Sequence, residues 1–332
     1  MPVRRSVLHG GRRRWRPGPA LALLAVLVAL ASVGAAAWLA FVREDADLAA
    51  AVPPPTGAPA SPARKATDTV IPEEPQAAVR LEGVDAFRPR LGRPPRAGLV
   101  FDLDTGEVLW RHNPLQVLPV ASLTKIMTAL LVAERTRPGE RVRITPAALR
   151  YSGSGVGLLP KGRRVSLASL VHGLMLVSGN DAAIALAVHI SGSEGRFVRA
   201  MNERARELGL RCTRFASSHG LEAGNRSCAA DLAALSRIVM ERPRIARVVR
   251  KRQAVFRFPT KGGKLYLSGH NPLMRLGYPG AIGLKTGYTN EAGRCFVGVA
   301  RREGRTLGVV LLNSFDPALQ APKLLDLGFR YG

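Results

Sequence analysis

Cysteine is scarce in this 332-residue chain, with only Cys212, Cys228 and Cys295 present. That number excludes a disulfide-built scaffold and a four-cysteine zinc site, and an odd count leaves at least one thiol unpaired within the chain. Histidine is sparse too, and none of the six falls in the H-E-x-x-H spacing of a metalloprotease helix. No metal and no cofactor is expected. The glycine-rich stretch Gly153-Ser154-Gly155-Val156-Gly157 is not followed by the G-K-S/T of a phosphate loop. Acidic residues are few: 24 Asp and Glu stand against 49 Lys and Arg, a net charge of +25, and only 8 of the cations are Lys. Such an excess first suggests nucleic acid. What is present is 46% hydrophobic sequence, on a chain long enough to bury a core without staples.

The charge is unevenly placed. Residues 1–17 hold six Arg and no acid, and residues 18–42 hold no charge. An apolar run of 24 residues, from Pro19 to Val42, thus follows an Arg cluster. Roughly 20 apolar residues span a bilayer core as a helix, and flanking Arg stay cytoplasmic. The expectation is a cytoplasmic tail (1–17), a transmembrane signal-anchor helix (18–42) and an extracytoplasmic remainder. Ala35-Ala36-Ala37 keeps the alternative of a cleaved signal and a secreted product. With the remainder exported, nucleic acid is excluded as a partner. Residues 43–96 contain ten prolines and balanced charge, which predicts a disordered Pro/Ala-rich linker. Residues 97–332 carry +19 and form the expected folded domain.

Within that domain, Gly98–Asp102 and Glu107–Trp110 flank an Asp104-Thr105-Gly106 turn and predict a hairpin. Apolar spacing predicts helices over Ser122–Arg135, Val165–Ile190 (broken at Ser178-Gly179-Asn180), Phe197–Leu208, Ala229–Met240 and Pro317–Phe329. Cys295–Ala300 and Thr306–Leu312 read as strands. The economical architecture is a sheet drawn from both chain ends, covered by helices, with an all-helical region inserted between.

Three short motifs stand in order. Ser122-Leu123-Thr124-Lys125 is an S-x-x-K that puts a hydroxyl and an amine on one helix face. A serine needs a nearby base to be a nucleophile, and a lysine serves only if desolvation or a neighbouring cation lowers its pKa. Ser178-Gly179-Asn180 follows, then Lys285-Thr286-Gly287 after the strand-like Ala281–Leu284. Each tripeptide is common by chance. Taken singly, Ser178 and Asn180 also read as helix caps and Lys285 as a solvated strand-end cation. The ordered set is that of the serine β-lactamases and penicillin-binding proteins.

On these motifs, and on Leu176–Ala183, Met201-Asn202, His219-Gly220-Leu221, Asp231-Leu232-Ala233 and Gly283–Thr289, the sequence from Ala97 to Tyr331 resembles the D-alanyl-D-alanine carboxypeptidases. These are low-molecular-mass penicillin-binding serine peptidases. The resemblance implies an α+β, serine β-lactamase/penicillin-binding-protein-like fold with an antiparallel sheet. It implies a peptidoglycan stem peptide ending in D-Ala-D-Ala as substrate and β-lactams as inhibitors. Ser122 would be the nucleophile and Lys125 its base, with Ser178 passing a proton and Asn180 binding substrate and holding Lys125. Lys285, Thr286, Gly287 and Tyr288 would bind substrate, and the N–H groups of Ser122 and Tyr288 would form the oxyanion hole. The N-terminal helix would supply attachment to the plasma membrane.

Some points stay open at this stage. Cys212 and Cys228 have no known separation, and Cys228 by itself reads as a packing residue. The resemblance puts His270 near the substrate carboxylate, whereas its own context reads as a surface histidine. Glu222 and Asn225 loosely resemble the deacylating region of some β-lactamases, although the spacing differs, so a β-lactamase is the alternative enzyme. A catalytically silent wall-binding or β-lactam-sensing protein is the alternative from another class.

Overall fold

The computed structural model describes residues 78–332. The expected cytoplasmic tail, the signal-anchor helix and linker residues 43–77 lie outside them. Among the described residues, no helix is long and apolar enough to cross a membrane.

Five strands build the central antiparallel sheet: β1 (Ala97–Asp102), β2 (Val108–His112), β3 (Ala281–Thr289), β4 (Gly293–Arg302) and β5 (Arg305–Ser314). Their spatial order is β2-β1-β5-β4-β3, so the first strand, β1, pairs with the last, β5. These strands read as near-continuous apolar runs because both faces are covered. Their side chains alternate between two cores. Leu99, Phe101, Val297, Val299, Val310 and Leu312 face the large helical core. Val100, Phe296, Ala300, Leu307, Val309 and Leu311 face the smaller core under the last helix, Pro317–Tyr331.

The region between β2 and β3 is mainly helical but not all-helical as expected, since three two-stranded pairs interrupt it. Its centre is the helix Lys125–Arg135, whose residues Lys125 to Val132 are all buried. Around it lie Leu167–Met175, Asn180–Ser191, Glu194–Glu207 and Ala229–Met240. The helix expected to start at Ser122 begins at Lys125, and Ser122 sits on a preceding 3-10 turn, Ala121–Thr124. The break at Ser178-Gly179 is present, with Ser178 in left-handed backbone (φ 60°).

Several short elements escaped the sequence reading, among them one helix and one hairpin. The helix Pro243–Val249 is seven residues long, too short for a periodic signal. The hairpin Gln253–Arg257/Lys264–Ser268 carries apolar residues on its outer face, which blurs the period-two alternation.

Residues 78–96 correct the linker expectation. Ala86 N–H donates to Leu109 O at 2.9 Å, and Arg80 makes a parallel bridge with Glu107. Arg111 Nε pairs with Asp85 Oδ1 at 2.7 Å, and Phe87 is buried in the smaller core. This segment has no core of its own. It is ordered by covering the open edge of β2, whose main-chain groups would otherwise stay unpaired.

Candidate active site

Ser122 is presented by a turn that the neighbouring main chain holds tightly. Ala121 takes a positive φ of 48°, and Leu123 N–H closes the turn on Val120 O at 3.1 Å. In 3-10 geometry residues i and i+3 eclipse, which aligns Ser122 with Lys125. Lys125 Nζ lies 2.9 Å from Ser122 Oγ, 2.7 Å from Asn180 Oδ1 and 2.6 Å from His219 O, so a neutral amine can donate to the two carbonyl oxygens and turn its lone pair to the serine hydroxyl. The lysine is fully buried. Desolvation is the main cause that holds its pKa well below the ordinary lysine value, and the Lys285 charge adds to the lowering. Asp181 and Glu222 oppose it.

The second motif lies across the cleft. Asn180 opens a helix; its Nδ2 donates to Ser152 O at 2.6 Å while its oxygen receives Lys125. Next to it, the buried Asp181 carboxylate accepts from Val156 N–H at 2.8 Å and Gly157 N–H at 2.9 Å. The glycine-rich loop is therefore pinned to the helix rather than free. Ser178 is buried and lines the same cleft as Ser122.

The third motif comes from edge strand β3. Lys285 is fully buried, and burial pushes its pKa down to about 7. Its Nζ donates to Thr286 O at 2.8 Å. Gly287 lets β3 approach the nucleophile turn: a Cβ there would stand 3.0 Å from both Ser122 N and Val120 O. The resulting cleft, about 340 Å³, is lined by Ser122, Ser178, Thr286, Gly287 and Tyr288, with His270 at its wall. Lys125, Asn180 and Lys285 lie behind that lining. All eight predicted site residues are thus brought to one place. His270 belongs to the cleft, and its pKa is lowered by partial burial, Lys285 and Arg275.

Sequence reasoning missed one main-chain contribution. The third partner of Lys125 is the carbonyl of His219, whose residue type is irrelevant to that bond. The segment carrying it is braced on several sides. Ser218 O accepts from Thr128 Oγ1 at 2.6 Å, and Glu194 Oε1 accepts from Ser218 N–H at 3.0 Å and Ser218 Oγ at 2.6 Å. Asn225 Oδ1 accepts from Ala216 N–H at 3.0 Å, and its Nδ2 donates to Ser217 Oγ at 3.0 Å. Asn225 is thereby committed to shaping this turn, not to deacylation. Gly220 (φ 94°) lies so close that a Cβ would overlap Ala121 O. A disulfide between Cys212 and Cys228, with Cα atoms 5.5 Å apart, closes the loop, and Cys295 is left as a buried free thiol. Among the described residues, the one cluster with metal-ligand spacing is Cys212, Cys228 and Asp231, and the disulfide occupies both its sulfurs.

Comparison with known proteins agrees with this geometry. The family model described as D-alanyl-D-alanine carboxypeptidase matches residues 95–316. The D-alanyl-D-alanine carboxypeptidase DacF of Bacillus subtilis is 35% identical over 248 residues, covering 72% of this chain and 63% of that protein. DacB2 of Mycobacterium tuberculosis, another D-alanyl-D-alanine carboxypeptidase, is 35% identical over 245 residues, covering 71% of this chain and 82% of the relative. A crystal structure of a D-alanyl-D-alanine carboxypeptidase from Mycobacterium tuberculosis superposes with a TM-score of 0.70 at 33% identity, covering 74% of this chain and 94% of that one. The chain thus spans less than two thirds of the Bacillus relative's own length.

Proposed function

The chain belongs to the D-alanyl-D-alanine carboxypeptidase family, and we propose that it is a serine peptidase removing the terminal D-alanine from peptidoglycan stem peptides. The observation that carries this reading is the 2.9 Å contact between Ser122 Oγ and the buried Lys125 amine, whose pKa desolvation lowers. A base with a lowered pKa within hydrogen-bond reach is what a serine nucleophile requires.

In the acylation step Ser122 Oγ bonds to the carbonyl carbon between the two D-alanines, and its proton passes to Lys125 Nζ. The oxyanion is met by the N–H groups of Ser122 and Tyr288 across the gap that Gly287 leaves. The C–N bond then breaks. The departing amine takes the proton from Lys125 by way of Ser178, and D-alanine leaves. Lys285 and Thr286 draw in the substrate's terminal carboxylate, and Asn180 binds its amide. Water, deprotonated by Lys125, then attacks the ester carbon; the bond to Ser122 Oγ breaks and Oγ takes the proton back from Lys125. A β-lactam acylates the same serine and is released slowly.

The same reading places the enzyme outside the cytoplasm, at the plasma membrane. The Arg cluster and the apolar run from Pro19 to Val42 support an uncleaved anchor with its N-terminus inside. The test of the activity is release of free D-alanine from a pentapeptide ending in D-Ala-D-Ala. Release by the native protein and none by Ser122→Ala is expected. No release by the native protein overturns the reading.

A further inference from the structure

Residues 242–290 contain eleven Lys and Arg and no Asp or Glu, so one 49-residue stretch holds most of the folded domain's +19. Only one of these cations, Lys285, is consumed by the catalytic cleft. Arg242 lies 3.7 Å from Glu134, and Arg244 donates to Thr136 O at 2.6 Å. Arg247, Arg250, Lys251, Arg257, Lys261 and Lys264 are exposed. Among the described residues, none of these six makes an ion pair within 4.0 Å.

These cations surround apolar surface. In the hairpin Gln253–Arg257/Lys264–Ser268, Val255 pairs with Tyr266 and Arg257 with Lys264. Ala254, Phe256, Leu265 and Leu267 turn inward, so Val255 and Tyr266 project outward and are 54% and 69% exposed. The hairpin is seated by Phe256 against His172, ring centroids 4.8 Å apart. His172 also lines a cleft of about 400 Å³ floored by Leu167, Val171 and Val248 and rimmed by Arg247, Arg250 and Lys251. The hairpin face and this cleft therefore adjoin through His172.

We propose that this face docks the domain onto an anionic lipid bilayer. The stretch itself supplies cations and no acid, as attraction to acidic headgroups requires. A soluble polyanion would be served by the cations alone. The outward Val255–Tyr266 pair adds an aliphatic group and an amphipathic ring, the residue types that settle at the headgroup boundary. The face also leads into the site: Gly269 N–H donates to Arg252 O at 2.8 Å, and the next residue, His270, lines the catalytic cleft. Docking would hold the cleft beside the membrane and favour stem peptides carried on lipid over those in detached polymer. This last step rests on the proposed carboxypeptidase activity; the docking itself does not.

The test uses the full chain carrying Val255→Cys labelled with a polarity-sensitive dye, mixed with nanodiscs of phosphatidylglycerol or phosphatidylcholine. A blue shift with phosphatidylglycerol alone is expected, lost in raised salt and lost in Arg257→Glu/Lys264→Glu. The Arg257→Glu/Lys264→Glu protein keeps the N-terminal Arg cluster and apolar run, so a shift that survives in it belongs to that tail and overturns the proposal. No shift, an equal shift in both lipids, or a shift with soluble polyphosphate but not with nanodiscs overturns the proposal. Fluorescent penicillin labelling of Ser122, measured on the same samples, reports separately on the catalytic reading. In a docked enzyme, the double variant should also lower hydrolysis of a lipid-anchored peptide relative to a soluble one. An unchanged ratio removes the substrate inference.

Discussion

Lys125 Nζ donates to the main-chain oxygen of His219 at 2.6 Å, a contact 94 residues apart in sequence. With Ser122 Oγ and Asn180 Oδ1 it gives the amine three partners in a site without solvent exposure. The geometry aims the amine at the serine, and burial lowers its pKa.

The charges around Lys125 predict opposite shifts in the pH dependence of acylation. Acylation needs neutral Lys125, so its rate rises with pH through the Lys125 pKa. Lys285 lowers that pKa and Asp181 raises it. In Lys285→Gln the acid limb of the acylation rate should move to higher pH, and in Asp181→Asn to lower pH. Rates of penicillin acylation across pH read both. Movement in the same direction for the two variants would contradict the electrostatic account.

Lys285 itself should cost stability. Its folded pKa is about 7, whereas an unfolded lysine titrates near 10.5. Between those values the unfolded state binds more protons, so stability rises with pH through the window from about 7 to about 10.5. Lys285→Met removes the buried charge. It should melt higher than the native protein at pH 7, with the gap closing as pH approaches 10.5, while acylation falls. Melting curves across that range check the sign.

The disulfide between Cys212 and Cys228 closes the loop that carries His219 O, at a sequence separation of 16. Closing a loop of this length constrains the unfolded chain by about 3 kcal/mol. Cys212→Ala/Cys228→Ala should lower Tm and also slow acylation severalfold well below the melting range, because the strap that holds Lys125 is loosened. An unchanged acylation rate would confine the disulfide to stability.

Gly220 offers a sharper probe of the same strap. Alanine there must either displace Ala121 O or leave the positive φ, at a cost on the order of 1–3 kcal/mol for the backbone alone. Gly220→Ala should slow acylation more than it weakens binding, since the cleft lining is untouched. A split between kcat and KM distinguishes this from general loss of fold.

Much of this protein was legible in the sequence because its chemistry is carried by side chains. Ser122, Lys125, Ser178, Asn180 and Lys285 announce themselves by type and order, and the two-sided sheet by its apolar strands at both ends. Other features left no such mark. The His219 carbonyl is main chain, so no residue type records it. Asp181 reads as an ordinary helix-start acid, yet it anchors Val156 and Gly157. Residues 78–96 look like linker because their order comes from pairing with an edge of β2 rather than from their own composition. The hairpin at 253–268 was hidden because Val255 and Tyr266 put apolar groups on its outer face, the property that makes it a candidate for docking.

The most direct test of the central claim is intact-mass and peptide mapping of the protein after exposure to a penicillin. The account predicts a stable addition of one penicillin mass, confined to the peptide containing Ser122 and slowed by about 10²–10⁴-fold in Lys125→Met, the range expected on losing a general base. Addition elsewhere, addition unaffected by Lys125→Met, or rapid turnover of penicillin with no accumulated adduct would contradict it.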